Sequence, residues 1–274
     1  ITQKELTVSL GKSTGIDREY NGTTTVADVD KPSDTQITYD KTGLVTVTSG
    51  GESTPQTVAL SYDPDANYVD SSDAASKNAG TYTNRVKYSG IRLANGTYSK
   101  NYKLVDAAGN VLYSEKVDGL DGTGINEGIG GALYGSGTIA KKNISSQGFS
   151  WYKGNAIQPA SREYDATSAY TDPINYTVSN SSSSVTNKML PGDNVSFTVQ
   201  SADFINSADG TSKTATPNVS NAKGVLYTVA VSGSDAGNYM LNGAALTNTA
   251  IVVGIGSITP RTINLAVTDT KAVK

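Results

Sequence analysis

The sequence predicts an all-β chain built from tandem two-layer modules. Three observations carry that expectation. Apolar and polar residues alternate in many short runs, and no stretch sustains a helical period. Clusters of Gly, Asn, Asp and Pro separate the runs, as in "TSGGEST" (48–54), "LANGT" (93–97) and "LPGDN" (190–194). Several phrases also recur in the same order along the chain, beginning with Arg-Glu-Tyr at 18–20 and again at 162–164.

The alternating runs give the elements in order. In the first half, "LTVSL" (6–10), "QITYD" (36–40) and "LVTVTS" (44–49) read as half-buried strands. In the second half the strands are "NYTVS" (175–179), "VSFTVQ" (195–200) and "VLYTVAVSG" (225–233). Thr, Val and Tyr supply them, the residue types that a pleated surface accommodates best. One helical turn is expected in "SDAASKNAG" (72–80). The chain holds 16 Tyr against 3 Phe and 1 Trp. Tyr packs its ring in a thin core and leaves its hydroxyl at the wet edge, which suits narrow modules; the same excess, with Trp151, suits the lining of a carbohydrate groove.

Composition excludes several functions. Cysteine and histidine are both absent, so Ser-His-Asp and Cys-His catalysis, disulfides and Cys- or His-ligated metals have no residues to use. The net charge of −3 offers no basic footprint for nucleic acid. No apolar run is long enough to span a membrane. No charged and then apolar leader opens the chain, and both ends fall within strand-like phrases. A segment of a longer exported protein is therefore expected.

Three phrases set the repeat. "ITQKELTVSL" starts at Ile1, "IAKKNISSQG" at Ile139 and "ITPRTINLAV" at Ile258; each has Lys or Arg fourth and an apolar residue sixth. They divide the chain into a first repeat at 1–138, a second at 139–257, and 258–274 as the opening strand of a truncated third. The unequal lengths imply an insertion in the first repeat, at 49–80 or in the glycine-rich 118–137. Inside each repeat the order is constant. Arg18, Tyr20 and Asn21 answer Arg162, Tyr164 and Asp165, and Asn101, Tyr102 and Leu104 answer Asn238, Tyr239 and Leu241. Units of this length fold as independent modules, here expected as Ig-like β-sandwiches in an elongated rod.

The Arg-Glu-Tyr pair reads either as a duplicated catalytic Arg–Tyr couple or as packing, with a buried Tyr beside an Arg stem on apolar surface. Packing is expected. Both copies keep a short acceptor, Asn21 or Asp165, and a Thr two residues on, the pattern of an Asx turn to the N–H of Thr23 or Thr167. Ala166 argues against a left-handed residue at the corner, because Ala avoids positive φ. Asp63, Asp65 and Asn67 alternate as calcium-loop oxygens do, although Tyr68 stands where an EF-hand needs Gly and Ala74 where it needs Glu. No other cofactor is suggested.

The order of phrases resembles the YDG-type repeats of large bacterial surface adhesins, including filamentous-haemagglutinin-like exported proteins. The resemblance rests on Arg18, Tyr20 and "NGTT" (21–24) in the first repeat, and on Arg162, Tyr164, Asp165, "PGDNVSF" (191–197) and "SGSDAGNYML" (232–241) in the second. Asn21 stands in place of the motif's Asp and Ala166 in place of its Gly. The resemblance implies a monomeric, non-enzymatic stalk segment on the bacterial cell surface, whose partners are neighbouring repeats of the same chain. The alternative is a module that itself recognises a host glycan or matrix protein.

Overall fold

The computed structural model describes residues 2–27, 37–114, 131–145, 150–153, 156–157, 160–171, 177–179, 188–208 and 210–266; for 62–64, 150–153, 156–157 and 177–179 it describes the backbone alone. These residues are mostly strand, with three short 3-10 turns and no α-helix. Among them no helix is long and apolar enough to cross a membrane. The chain divides into two compact units, residues 1–141 and 142–274.

Unit 1 contains β1 (Lys4–Leu10), β2 (Arg18–Glu19), β3 (Ile37–Tyr39), β4 (Thr46–Ser49), β5 (Glu52–Pro55), β6 (Leu60–Tyr68), β7 (Gly80–Leu93), β8 (Tyr102–Val105), β9 (Val111–Ser114) and β10 (Leu133–Ala140). They form one sheet in the order β3-β1-β8-β9, a second in the order β2-β10-β7-β6, and the ribbon β4-β5. β7 of the second sheet lies against β8 and β9 of the first. Alternation along β7 turns Tyr82, Val86, Tyr88, Ile91 and Leu93 into the core.

Unit 2 contains β11 (Lys142–Ile144), β12 (Ser150–Lys153), β13 (Ala156–Ile157), β14 (Ala160–Glu163), β15 (Thr177–Ser179), β16 (Ser196–Ile205), β17 (Gly224–Ser232), β18 (Tyr239–Leu241), β19 (Ala244–Ala245) and β20 (Thr249–Thr259). Its large sheet runs β14-β20-β17-β16, the order of β2-β10-β7-β6 in unit 1. Smaller sheets run β11-β18-β19 and β13-β12-β15.

The two units repeat two uncommon contacts, because each sets a pair of strands parallel. β1 runs parallel to β8 with Lys4 opposite Tyr102 and Leu6 opposite Leu104; β11 runs parallel to β18 with Lys142 opposite Tyr239 and Ile144 opposite Leu241. β2 runs parallel to β10 with Arg18 opposite Ile139, and β14 to β20 with Arg162 opposite Ile258. The Ile-x-x-Lys phrase thereby acquires a physical meaning. Its Ile closes the sheet of one unit, its Lys enters the sheet of the next, and Lys141 alone separates β10 from β11.

Two local expectations fail. No helical turn forms at 72–80. The Asp70 carboxylate instead accepts the N–H groups of Ser72 and Ala74, at 2.8 and 3.1 Å, and holds a tight turn that a helix would have to break. The alternation of "LVTVTS" does not mark a half-buried strand either. Among the described residues β4 pairs with β5 alone, and Val47 within it and Val45 just before it are 40% and 41% exposed.

Candidate functional site

Each unit turns one corner in the same way, and the corner is where Arg-Glu-Tyr lies. In unit 1, Arg18 donates through Nη1 to Asn21 Oδ1 and through Nη2 to the Thr23 carbonyl, both at 2.5 Å. Asn21 Oδ1 also accepts the Thr23 N–H at 3.0 Å and the Thr23 hydroxyl at 2.8 Å. In unit 2, Arg162 donates to Asp165 Oδ2 and to the Thr167 carbonyl, while Asp165 Oδ1 accepts the Thr167 N–H at 2.9 Å and its hydroxyl at 3.0 Å. The Asx turn read from the sequence is present in both copies.

The guanidinium groups stack on equivalent rings. The Arg18 guanidinium carbon lies 5.0 Å from the centre of the Tyr68 ring, and that of Arg162 lies 5.2 Å from Phe204. Both Nε atoms are buried without an acceptor among the described residues, and the negative face of the ring compensates them. Burial pulls the Arg18 guanidinium below its ordinary value, but the group remains a cation. A side chain fixed on both ends and covered by an aromatic ring is a clamp.

The structure corrects the expected backbone of the corner. Ala166 has φ = 71°, beside φ = 80° at Gly22. The Asx turn and the Arg clamp together fix the residues on either side, and this forces Ala166 into the left-handed region that Ala avoids when unconstrained. Tyr164 also departs from expectation. Tyr20 is buried with Lys77 over its ring at 5.9 Å, whereas Tyr164 is 37% exposed. The backbone positions match, since Tyr20 N–H donates to the Ala140 carbonyl at 2.8 Å and Tyr164 N–H to that of Thr259 at 2.9 Å. What differs is the cover. The β6–β7 connection of unit 1 brings Lys77 over Tyr20, and among the described residues no cation lies over the Tyr164 ring.

The corner of unit 2 carries a carboxylate, Asp165, where that of unit 1 carries the amide of Asn21. The Thr167 N–H, with smaller help from the Thr167 hydroxyl and Arg162, holds the Asp165 carboxyl below its ordinary value. A carboxyl whose folded value is depressed stabilises the fold above its unfolded value, and this contribution is lost as pH falls through the folded value. Asp165→Asn should therefore flatten the fall in the unit 2 melting temperature below about pH 4. Thermal unfolding of both forms across that range checks this, and the other acidic groups cancel in the difference.

A second shared device is a tyrosine latch. The Tyr102 hydroxyl accepts the Val45 N–H at 2.9 Å and donates to Gln56 Oε1 at 2.8 Å. The Tyr239 hydroxyl accepts the Leu190 N–H at 2.9 Å and donates to Asp193 Oδ2 at 2.5 Å. Both rings are fully buried, as is Leu104; Leu241 and Asn238 are buried too, while Asn101 is exposed. The latch aligns Val45 with Leu190 and Gln56 with Asp193, so the ribbon β4–β5 stands where unit 2 has only Pro191-Gly192.

The calcium candidates lie on β6. Asn67 Nδ2 donates to Asp65 Oδ1 and its Oδ1 accepts the Thr24 hydroxyl at 2.8 Å, so both side chains are engaged within the protein. The Asp63 side chain is outside the described residues, as is that of Trp151. Among the described residues no group of three or more Asp and Glu is placed to hold a metal ion. No family model, no curated protein and no solved structure matches the chain.

Proposed function

We propose that this chain is a stalk segment of a large bacterial surface adhesin, made of tandem Ig-like β-sandwich repeats that form a stiff extracellular rod and carry an adhesive region away from the cell. The junction phrase carries the proposal. One residue, Lys141, lies between the closing strand of unit 1 and the opening strand of unit 2, and so short a connection restricts domain motion. Both strands are held by parallel ladders, β10 against β2 and β11 against β18. Tension along the chain loads the bonds of such a ladder together in shear, whereas a hairpin opens one bond at a time.

The phrase at Ile258 supports the same reading. Ile258 is buried in unit 2 like Ile139 in unit 1, but Ile263 and Leu265 are 81% and 95% exposed. Their counterparts Leu6, Val8 and Ile144 are all buried inside a unit. Residues 258–274 are therefore read as the opening strand of a further repeat, and neighbouring repeats are the chain's partners. The likeness to YDG-type repeats points the same way, and the Arg clamps favour a structural over an enzymatic role. Small-angle X-ray scattering of the whole chain is the test: an elongated particle is expected, and a compact one overturns the proposal. The alternative of a ligand-binding module draws support from one feature of unit 1.

A further inference from the structure

That feature is an open recess of about 470 Å³ between the β6–β7 connection and β10, within the size range of small-ligand sites. Tyr134 lines it, the second residue of β10, 42% exposed on the outward-facing side of the strand. The ring is pinned. Its hydroxyl donates to Asp73 Oδ1 at 3.1 Å, and Lys87 holds the other Asp73 oxygen. A recognition surface fixed before binding loses little freedom when a ligand arrives.

The walls are fixed in the same manner. Asp73 and Asn84 have φ of 65° and 50°, two of the four non-glycine residues in the left-handed region among the described residues. Both line this recess. Asp73 is held by its N–H to the Asp70 carbonyl at 3.2 Å, and Asn84 by its N–H to Ser136 Oγ at 2.8 Å. Strain of this kind persists where the surroundings over-determine it, and it gathers at binding sites. The Arg85 guanidinium also lines the recess and has no hydrogen-bond or ion-pair partner among the described residues.

Unit 2 keeps the frame and closes the site. In unit 1 Tyr134 stands opposite Lys87; at the same register in unit 2 Val253 stands opposite Leu226. There the β16–β17 connection packs on Val253, since a Cβ at Gly210 would come within 2.8 Å of it. Among the described residues, the polar, open arrangement at this register belongs to unit 1.

We propose that this recess binds a neutral pyranose. The exposed Tyr134 ring supplies a flat apolar face for the C–H face of a sugar, and Asp70, Arg85 and the Asn84 amide surround it with donors and acceptors for hydroxyl groups. Asp70 and Asp73 balance Lys87 and Arg85, which disfavours a strongly charged ligand of either sign. The inference adds a site to the stalk and does not depend on it.

The test uses the whole chain on an array of immobilised oligosaccharides ending in glucose, galactose, mannose, fucose or N-acetylhexosamine, with sulfated and sialylated probes alongside. At least one neutral probe should be retained. Its methyl glycoside, titrated in solution, should bind at least tenfold more weakly to Tyr134→Ala and to Arg85→Ala, with unit 1 of both variants still folded by its cooperative melting transition. Retention of no neutral probe overturns the proposal. So does retention of charged probes alone, or binding that neither substitution weakens.

Discussion

Gly137→Ala is expected to lower the melting temperature of unit 1 by about 10 °C or more and to leave unit 2 unchanged, a loss of about 3 kcal/mol for a domain of this size. A Cβ at Gly137 would lie 1.8 Å from the Ile16 carbonyl oxygen and 2.6 Å from its carbon. These are backbone atoms and cannot rotate away. The Ile16 carbonyl is also where Tyr68 is anchored, its hydroxyl donating there at 2.7 Å, and Tyr68 carries the Arg18 clamp. One methyl group would therefore disturb the corner, its aromatic cover and the β2–β10 ladder together. Gly256 holds the equivalent place in unit 2, two residues before Ile258, but a Cβ there meets the side chains of Val225, Phe204 and Ala160. Gly256→Ala should cost less. Gly80→Ala, with open space around its Cβ, is the control and should be near neutral. Calorimetry of the whole chain reads all three.

Tyr239→Ala should cost unit 2 about 3–5 kcal/mol, the usual range for deleting a fully buried aromatic ring. Tyr239→Phe separates the hydroxyl from the ring. It keeps the packing but takes the acceptor from the Leu190 N–H and a donor from Asp193, at a cost of about 1–3 kcal/mol. Tyr102→Phe should behave alike in unit 1, where Val45 and Gln56 lose their partner. Denaturant unfolding of the single variants checks the order Ala, then Phe, then wild type. Equal losses for Phe and Ala would mean that the hydroxyl, and not the ring, holds the fold.

Much of the fold could be read from local pattern. The strands at 6–10, 195–200 and 225–233 fall within β1, β16 and β17 or overlap them closely, because a strand with one buried face writes its period into the sequence. The Asx turns were legible because Asn21 and Asp165 share a chemistry that Gly22 and Ala166 do not. Side-chain constraints that override a residue's own preference were not. Ala166 is left-handed because Arg162, four residues earlier at the end of β14, and the Asx turn fix its neighbours, against the preference of Ala itself. Tyr20 is buried beneath Lys77, which lies 57 residues further along the chain, whereas Tyr164 is exposed. Val45 and Val47 alternate as if over a core but belong to a ribbon of two strands. The parallel ladders left only one trace, the Ile-x-x-Lys phrase. The recess at Tyr134 left none, since its residues come from three separate stretches of the chain.

The central claim is that these repeats stand end to end as a stalk, and the solution dimensions of the whole chain test it most directly. Each unit is about 37 Å long if the 11 residues of β20 set its length. Two such units in line give a radius of gyration of about 23 Å by small-angle X-ray scattering, against about 19 Å for one compact body of the same number of residues. A value of about 23 Å or more, unchanged with protein concentration, is the expected result. A value near 19 Å would mean that the units fold against each other, and it would contradict the stalk.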